Sequence, residues 1–261
     1  MDIQALREAG RRLLQHLGGR SLRGQRLLGR GAAGDKTYAF DRQAETVVLE
    51  HLGSLGEPLE VLTEEAGVLR LHGPGGLRVL LDPVDGSRNA AAGLPFYGSS
   101  IAVAEGERLA DVFMAYVLNL ASGDEFWAQR GRGAFLNGAP IRCTGDERLR
   151  VAAFEAADTA RDIPRIMPVL EAFHRVRCMG AVALELACLA GGGLTAVLSP
   201  SPSRSFDYAA GWLLLKEAGG LFTDFRGQDL GAERLGLKGG SVFVASANEA
   251  VHRRLLELLG G

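Results

Sequence analysis

Near its start the chain places Ile3, Leu6, Leu13, Leu14 and Leu17 among charged residues at near-helical spacing, which predicts an amphipathic helix over 2–18 stopped by Gly18-Gly19. A glycine-rich loop is expected from Gly29 to Lys36. Phe40, Ala44, Val47, Val48 and Leu52 then repeat the helical period over 37–55, with Asp41 in the first turns. Beyond that helix the period changes. Short apolar runs at 60–63 and 77–81 read as strands, and three more follow at 99–104, 110–119 and 124–129. Asn137-Gly138 is the strongest short hairpin signal in the chain.

The second half alternates. Strands are expected near 150–154, 175–178, 194–199, 220–224 and 241–246, and helices near 162–173, 181–190, 206–218 and 248–259. Helices mixed with hairpin-linked strands predict a layered α/β or α+β fold rather than a simple parallel sheet.

Composition narrows the function classes. The 261 residues are 47% hydrophobic and 23% charged, enough apolar surface for a sizeable core, so disorder is excluded as the main description. A net charge of −2 with no segregation of sign gives no support to a nucleic-acid surface. Cys143, Cys178 and Cys188 are odd in number and lack metal-ligand spacing. The start, Met1-Asp2-Ile3-Gln4, lacks the pattern of a secretory leader, and no apolar run reaches the roughly 18 residues of a membrane helix. A reducing, cytoplasmic setting with no membrane partner is expected. The 36 glycines cluster at turns and beside acidic residues, where backbone must approach something closely.

The chemistry concentrates at Leu81-Asp82-Pro83-Val84-Asp85-Gly86-Ser87, where an apolar strand ends in two carboxylates three residues apart. Pro83 has no N–H and a fixed φ, so the chain is expected to turn there and bring both acids and the Val84 carbonyl to face one point. Glu64-Glu65 follows the preceding strand, and Asp207 opens a later helix. Alone, Asp-Pro-x-Asp-Gly is most simply a turn. With Glu64 and Asp207 added it becomes a set of hard oxygen donors without cysteine or histidine, which suits Mg²⁺ or Mn²⁺ rather than zinc. The Gly86-Ser87 step would offer backbone N–H groups to an anion at the start of a short helix, so the combination points to phosphate chemistry.

These residues resemble the inositol monophosphatase superfamily of Mg²⁺-dependent, Li⁺-sensitive phosphatases, which includes archaeal-type fructose-1,6-bisphosphatases. Glu64-Glu65 is similar to the family's acidic pair, Asp82 to Ser87 to its Asp-Pro-Ile-Asp-Gly-Thr signature, and Phe206-Asp207-Tyr208-Ala209-Ala210-Gly211 to its Trp-Asp-x-Ala-Ala-Gly signature. The resemblance spans nearly the whole chain. It implies an α-β-α-β-α sandwich forming a single catalytic unit over 1–261, with most ligands in the half 1–145 and Asp207 and the substrate-selecting residues in the half 146–261. It implies one metal held by Glu64, Asp82 and the Val84 carbonyl, a second by Asp82, Asp85 and Asp207, and a weaker third reached by Glu65 through water. It assigns Asp41 and Ser87 the orientation and deprotonation of the attacking water, and it implies a homodimer.

The match departs where the alcohol is selected. Gly180-Ala181 stands where inositol-type members have a hydroxyl residue after the glycine, and Pro200 stands where they carry an acid. Arg204 is then expected to meet a second phosphate, with a solvated surface charge as the alternative. The resemblance therefore ranks inositol 1-phosphate and fructose 1,6-bisphosphate close together as substrates, ahead of adenosine 3′,5′-bisphosphate. Gly86, Ser87, Gly180, Ala181 and Arg204 are the expected phosphate and substrate contacts, and Gly180 and Gly211 are expected to sit where helix starts crowd the metals. Gly29-Arg30-Gly31-Ala32-Ala33-Gly34 resembles a dinucleotide fingerprint but has no clear strand before it, and a mobile active-site loop is the better reading. A non-catalytic regulatory homologue is the remaining class, disfavoured because none of the four acidic ligands is lost.

Overall fold

The computed structural model describes every residue except Arg20, Asp35 and Gly261. The chain opens with α1 (Ile3–Leu17), capped by Asp2, whose carboxylate accepts from the Ala5 N–H at 3.0 Å, and ended by Gly18. Its buried residues recur at the helical period that the sequence shows. The glycine-rich segment is not simply a loop. It is an antiparallel hairpin of β1 (Leu27–Arg30) and β2 (Lys36–Tyr38), which leads into α2 (Ala39–Ser54). Asp35 of that segment lies outside the described residues.

β3 (Leu59–Thr63) and β4 (Gly67–Leu71) form a second hairpin, with Thr63 opposite Gly67, so Glu64 and Glu65 sit in its turn. β4 is absent from the sequence reading because it is an edge strand with only a weak alternation of buried and exposed positions. The chain continues through β5 (Leu77–Asp85), the short α3 (Ser87–Ala92), β6 (Gly98–Ala104), β7 (Val112–Asn119), β8 (Glu125–Gln129), β9 (Gly133–Leu136) and β10 (Ala139–Ile141). The strands β3 to β10 make one eight-stranded sheet, antiparallel apart from the β3–β5 pair. Asn137 and Gly138 both have positive φ, as a two-residue hairpin turn between β9 and β10 requires.

The remaining elements are β11 (Val151–Phe154), α4 (Thr159–Ala172), β12 (Arg175–Arg177), α5 (Val182–Ala190), β13 (Ala196–Ser203), α6 (Ser205–Glu217), β14 (Leu221–Thr223), β15 (Ser241–Ser246) and α7 (Glu249–Gly260). They build a five-stranded mixed sheet in the order β12-β11-β13-β15-β14. Three apolar clusters define the layers: α1 and α2 against the outer face of the large sheet, α5 and α6 between the sheets, and α4 and α7 outside the small sheet. This is the expected α-β-α-β-α sandwich.

The turn expected at Pro83 is a bulge inside a continuing strand. Asp82 pairs with Ser100 and Asp85 with Gly98, three residues on β5 against two on β6. In a regular strand residues i and i+3 point to opposite faces; one extra residue returns them to the same side. Pro83 supplies no N–H to the ladder, so it is tolerated at the irregularity. β13 does something similar, with its register broken between Ser199 and Ser203 around Pro200 and Pro202.

Gly211 serves the packing of two helices. A Cβ there would stand 2.5 Å from the Leu186 Cβ, so the glycine lets α6 pack against α5. Gly211→Ala is expected to cost about 1–3 kcal/mol through overpacking, more than the roughly 1 kcal/mol that alanine adds to helix propensity. Thermal unfolding should show a midpoint lower by several degrees. An unchanged midpoint would mean the helices have room to part.

Candidate active site

The carboxylates expected to act together line one cavity of about 600 Å³, at the edge where the large sheet meets the middle helices. Glu64, Asp82, Val84, Asp85 and Asp207 all contribute to its wall. Asp82 comes from the bulge of β5 and is 4% exposed; among the described residues no hydrogen-bond donor reaches its enclosed Oδ1. Asp85 accepts from the Ala183 N–H at 2.7 Å, which places it against the unsatisfied amides of the first turn of α5. Asp207 sits in the first turn of α6, where its Oδ2 accepts from the Arg204 N–H at 2.8 Å.

Burial raises the Asp82 carboxyl well above its usual range, followed by the charges of Glu64, Asp85 and Asp207, with Arg204 opposing them. Burial likewise raises Asp85, then the charge of Asp207, against the Ala183 N–H. Such a cluster is unstable as a set of anions unless cations face it. Arg204 is one of them: its guanidinium lies 3.7 Å from Glu64 Oε1 and 3.4 Å from Asp207 Oδ2, stacked over the Phe206 ring at 4.7 Å. The arginine expected to meet a second phosphate is thus drawn into the carboxylate cluster. Among the described residues no three acidic, histidine or cysteine side chains form a ready-made metal cage. The donor set still fits a hard divalent cation, because every donor is oxygen and Asp82 keeps a buried oxygen with no hydrogen-bond partner among the described residues.

Beside the cluster stands a hydroxyl–carboxylate pair. Ser87 Oγ lies 2.8 Å from Asp41 Oδ1 and 2.7 Å from the Val84 carbonyl oxygen, and its single proton can serve one of them at a time. Asp41 is held by the Tyr38 N–H at 2.6 Å, at the start of α2. Burial pushes its carboxyl up to about 7, against the lowering hydrogen bonds from Tyr38 and Ser87.

Glu65 is 5% exposed and lies beneath the β1–β2 hairpin rather than on the cavity wall. It accepts a short hydrogen bond from Thr37 Oγ1. Ala32 and Ala33 donate to the carbonyls of Glu65 and Glu64, both at 3.0 Å, so the hairpin tip is docked on the acidic turn. Gly86 has φ 83°, and a Cβ there would meet Ala181, the Gly180 carbonyl and the Phe96 carbonyl at 3.1 Å. Gly180 lines the cavity, whereas Ala181 is 1% exposed and packs beneath Gly86; Val182 takes the place on the wall expected for Ala181. Pro200 is buried within β13.

Several residues of the site escaped the sequence reading. Glu45, buried on α2, accepts from Thr63 Oγ1 at 2.7 Å and the Ala66 N–H at 2.9 Å, fixing the turn that carries Glu64 and Glu65. Asn89 donates to the carbonyls of Phe96 and Met179, tying α3 to the approach of α5. Lys36 and Arg88 add cations to the cavity, and Glu155 adds an acid. Glu185 does carry a signal in the sequence, since it is the one charged residue in the apolar run Val182–Ala190.

The family model for the inositol monophosphatase family matches residues 1–260. The chain belongs to the inositol monophosphatase family. Among its relatives is the fructose-1,6-bisphosphatase/inositol-1-monophosphatase of Archaeoglobus fulgidus, 38% identical over 235 residues, covering 89% of this chain and 87% of the relative. The protein of the same name from Methanothermobacter thermautotrophicus is 35% identical, over 88% of this chain and 85% of its own length. The solved structure of a Thermotoga maritima IMPase superposes with a TM-score of 0.78 at 26% identity, covering 99% of this chain and 94% of that one. As a member of this family the chain is a metal-dependent phosphatase of small phosphate esters. Its three cysteines are free, and among the described residues no helix is long and apolar enough to cross a membrane.

Proposed function

We propose that the protein hydrolyses the phosphate monoester of a small polyol or sugar with Mg²⁺ as cofactor, inositol 1-phosphate being the first candidate substrate. One observation carries the reading: Asp82, buried with an unpartnered oxygen amid Glu64, Asp85 and Asp207, lines the same cavity as the Ser87 that contacts Asp41. Glu64, Asp82 and the Val84 carbonyl would hold one Mg²⁺ and Asp82, Asp85 and Asp207 a second, with Mn²⁺ compatible with the same donors. When bound, the metal supplies charge neutralisation for the phosphoryl oxygens and lowers the pKa of a coordinated water.

The chain's own residues do the rest. Asp41, with a carboxyl at about 7, is suited to accept a proton near neutral pH, and Ser87 between it and the cavity orients the attacking water. The Gly86-Ser87 backbone faces the phosphate, and Gly180 borders the alcohol. Fructose 1,6-bisphosphate is the second reading, favoured by Lys36 and Arg88, two cations on the cavity wall able to meet another phosphate. A homodimer and a cytoplasmic setting belong to the same reading; family resemblance supports the first and the three free thiols support the second.

The test is phosphate release from inositol 1-phosphate, fructose 1,6-bisphosphate and adenosine 3′,5′-bisphosphate, with Mg²⁺ and with EDTA. Release from the first two should exceed that from the third and should vanish with EDTA. Release indifferent to EDTA, or none from any of the three, would overturn the reading.

A further inference from the structure

The small sheet and the start of α5 supply their own share of the cavity lining, including Glu155, Ala157, Gly180, Val182 and Ser201. Glu155 is the one acidic side chain in that share among the described residues. It follows the last residue of β11, where its N–H donates to the Leu198 carbonyl of β13 at 3.0 Å. Its carboxylate is held in place: Oε1 accepts from the Gly180 N–H at 2.6 Å.

A second carboxyl group stands behind it. Glu185 is fully buried in α5, and its Oε1 accepts from the Met179 N–H at 3.1 Å. Among the described residues its Oε2 is enclosed and meets no N–H or O–H donor, and the Glu155 carboxylate stands beside it. Burial, followed by the charge of Glu155, raises Glu185 well above the usual carboxylate range, which favours Glu185 over Glu155 as the member that donates. A carboxylate has about four acceptor positions. The Gly180 N–H takes one and the Glu185 hydroxyl another, which leaves Glu155 acceptors for the cavity that it lines.

We propose that Glu155 is a specificity-determining residue of the alcohol subsite, accepting a hydrogen bond from a free hydroxyl of the polyol that carries the phosphate, with Glu185 as the positioning residue behind it. The inference rests on the phosphatase reading and deepens it. It selects neutral, hydroxyl-rich leaving groups, because an anionic acceptor welcomes an O–H and repels a second phosphoryl group placed against it.

The experiment compares two esters in Mg²⁺ with the full-length protein: inositol 1-phosphate, rich in hydroxyls, and phenyl phosphate, which has none beyond the phosphate. Glu155→Ala should lower kcat/KM for inositol 1-phosphate by about 10–100-fold, chiefly through KM, and change phenyl phosphate turnover by less than about twofold. Glu155→Gln keeps an acceptor for Gly180 and should show a smaller loss with the same substrate bias. For the residue behind, Glu185→Gln retains a donor toward Glu155 and should preserve KM for inositol 1-phosphate, whereas Glu185→Met should raise it. Equal losses on both esters would mean that Glu155 only braces the Gly180 turn, and would overturn the inference while leaving the phosphatase reading intact. No Mg²⁺-dependent release from either ester by the unaltered protein would instead remove the phosphatase reading, and the inference with it.

Discussion

Asp82→Asn is expected to lower Mg²⁺-dependent phosphate release by about a thousandfold or more while leaving a folded protein. Asp82 is the ligand shared by both proposed metals, and the loss of several kcal/mol of charge stabilisation in the transition state corresponds to that factor. The same change should stabilise the EDTA-treated protein, for a reason visible in the cluster. Burial and neighbouring acids raise Asp82 and Asp85 above their usual range. The folded state therefore holds protons that the unfolded chain, with aspartates near about 3.9, has already released. With more protons on the folded state, stability is fullest at low pH and is lost as pH rises from the unfolded value through the folded one. For Asp41 that window closes at about 7; for Asp82 and Asp85 it extends upward by the direction of their shifts. Thermal melts in EDTA should accordingly place Asp82→Asn above the parent at about pH 8, with the gap shrinking toward about pH 4. A gap that ignores pH, or a variant that still releases phosphate at the parental rate, would remove Asp82 from the centre of the site.

The second large effect is expected at the hydroxyl–carboxylate pair. Asp41→Asn keeps the shape at the start of α2 but removes the proton acceptor, and kcat should fall by about 10²–10⁴-fold, the usual worth of general base catalysis. Ser87→Ala should fall in the same direction, because Asp41 then loses the hydroxyl that stands 2.8 Å away. The double variant should be little worse than the more damaged single one, since the two act as a unit. Mg²⁺ binding measured by calorimetry should remain in all three. Additive losses would indicate that the residues work separately.

Much of this arrangement is legible in the sequence because it is local. The acids Asp82, Asp85 and Asp207 stand at the ends of patterned elements, and Asn137-Gly138 names its own turn. Pro83 shows the limit. A missing N–H is equally compatible with a turn and with a bulge, and the choice is made by Gly98 and Ser100 on the partner strand. The glycine-rich segment hides its hairpin because Leu27 and Leu28 are both half exposed and do not alternate. Gly211 lies within the signature around Asp207, yet its constraint comes from Leu186 on another helix. Glu45 and Asn89 are illegible for the same reason, since their partners Ala66 and Met179 lie 21 and 90 residues away along the chain.

Helix α2 bears on two parts of the site at once. Asp41 and Glu45 leave it four residues, just over one turn, apart, about 6 Å along the axis. Asp41 reaches Ser87, while Glu45 grips the turn that carries Glu64 and Glu65. The gap between Asp41 and the acidic turn is therefore set by a rigid segment of four residues, and positional errors in the intervening loops do not accumulate across it. A tilt of α2 carries both partners in the same sense, much as two marks on one ruler keep their spacing when the ruler is moved.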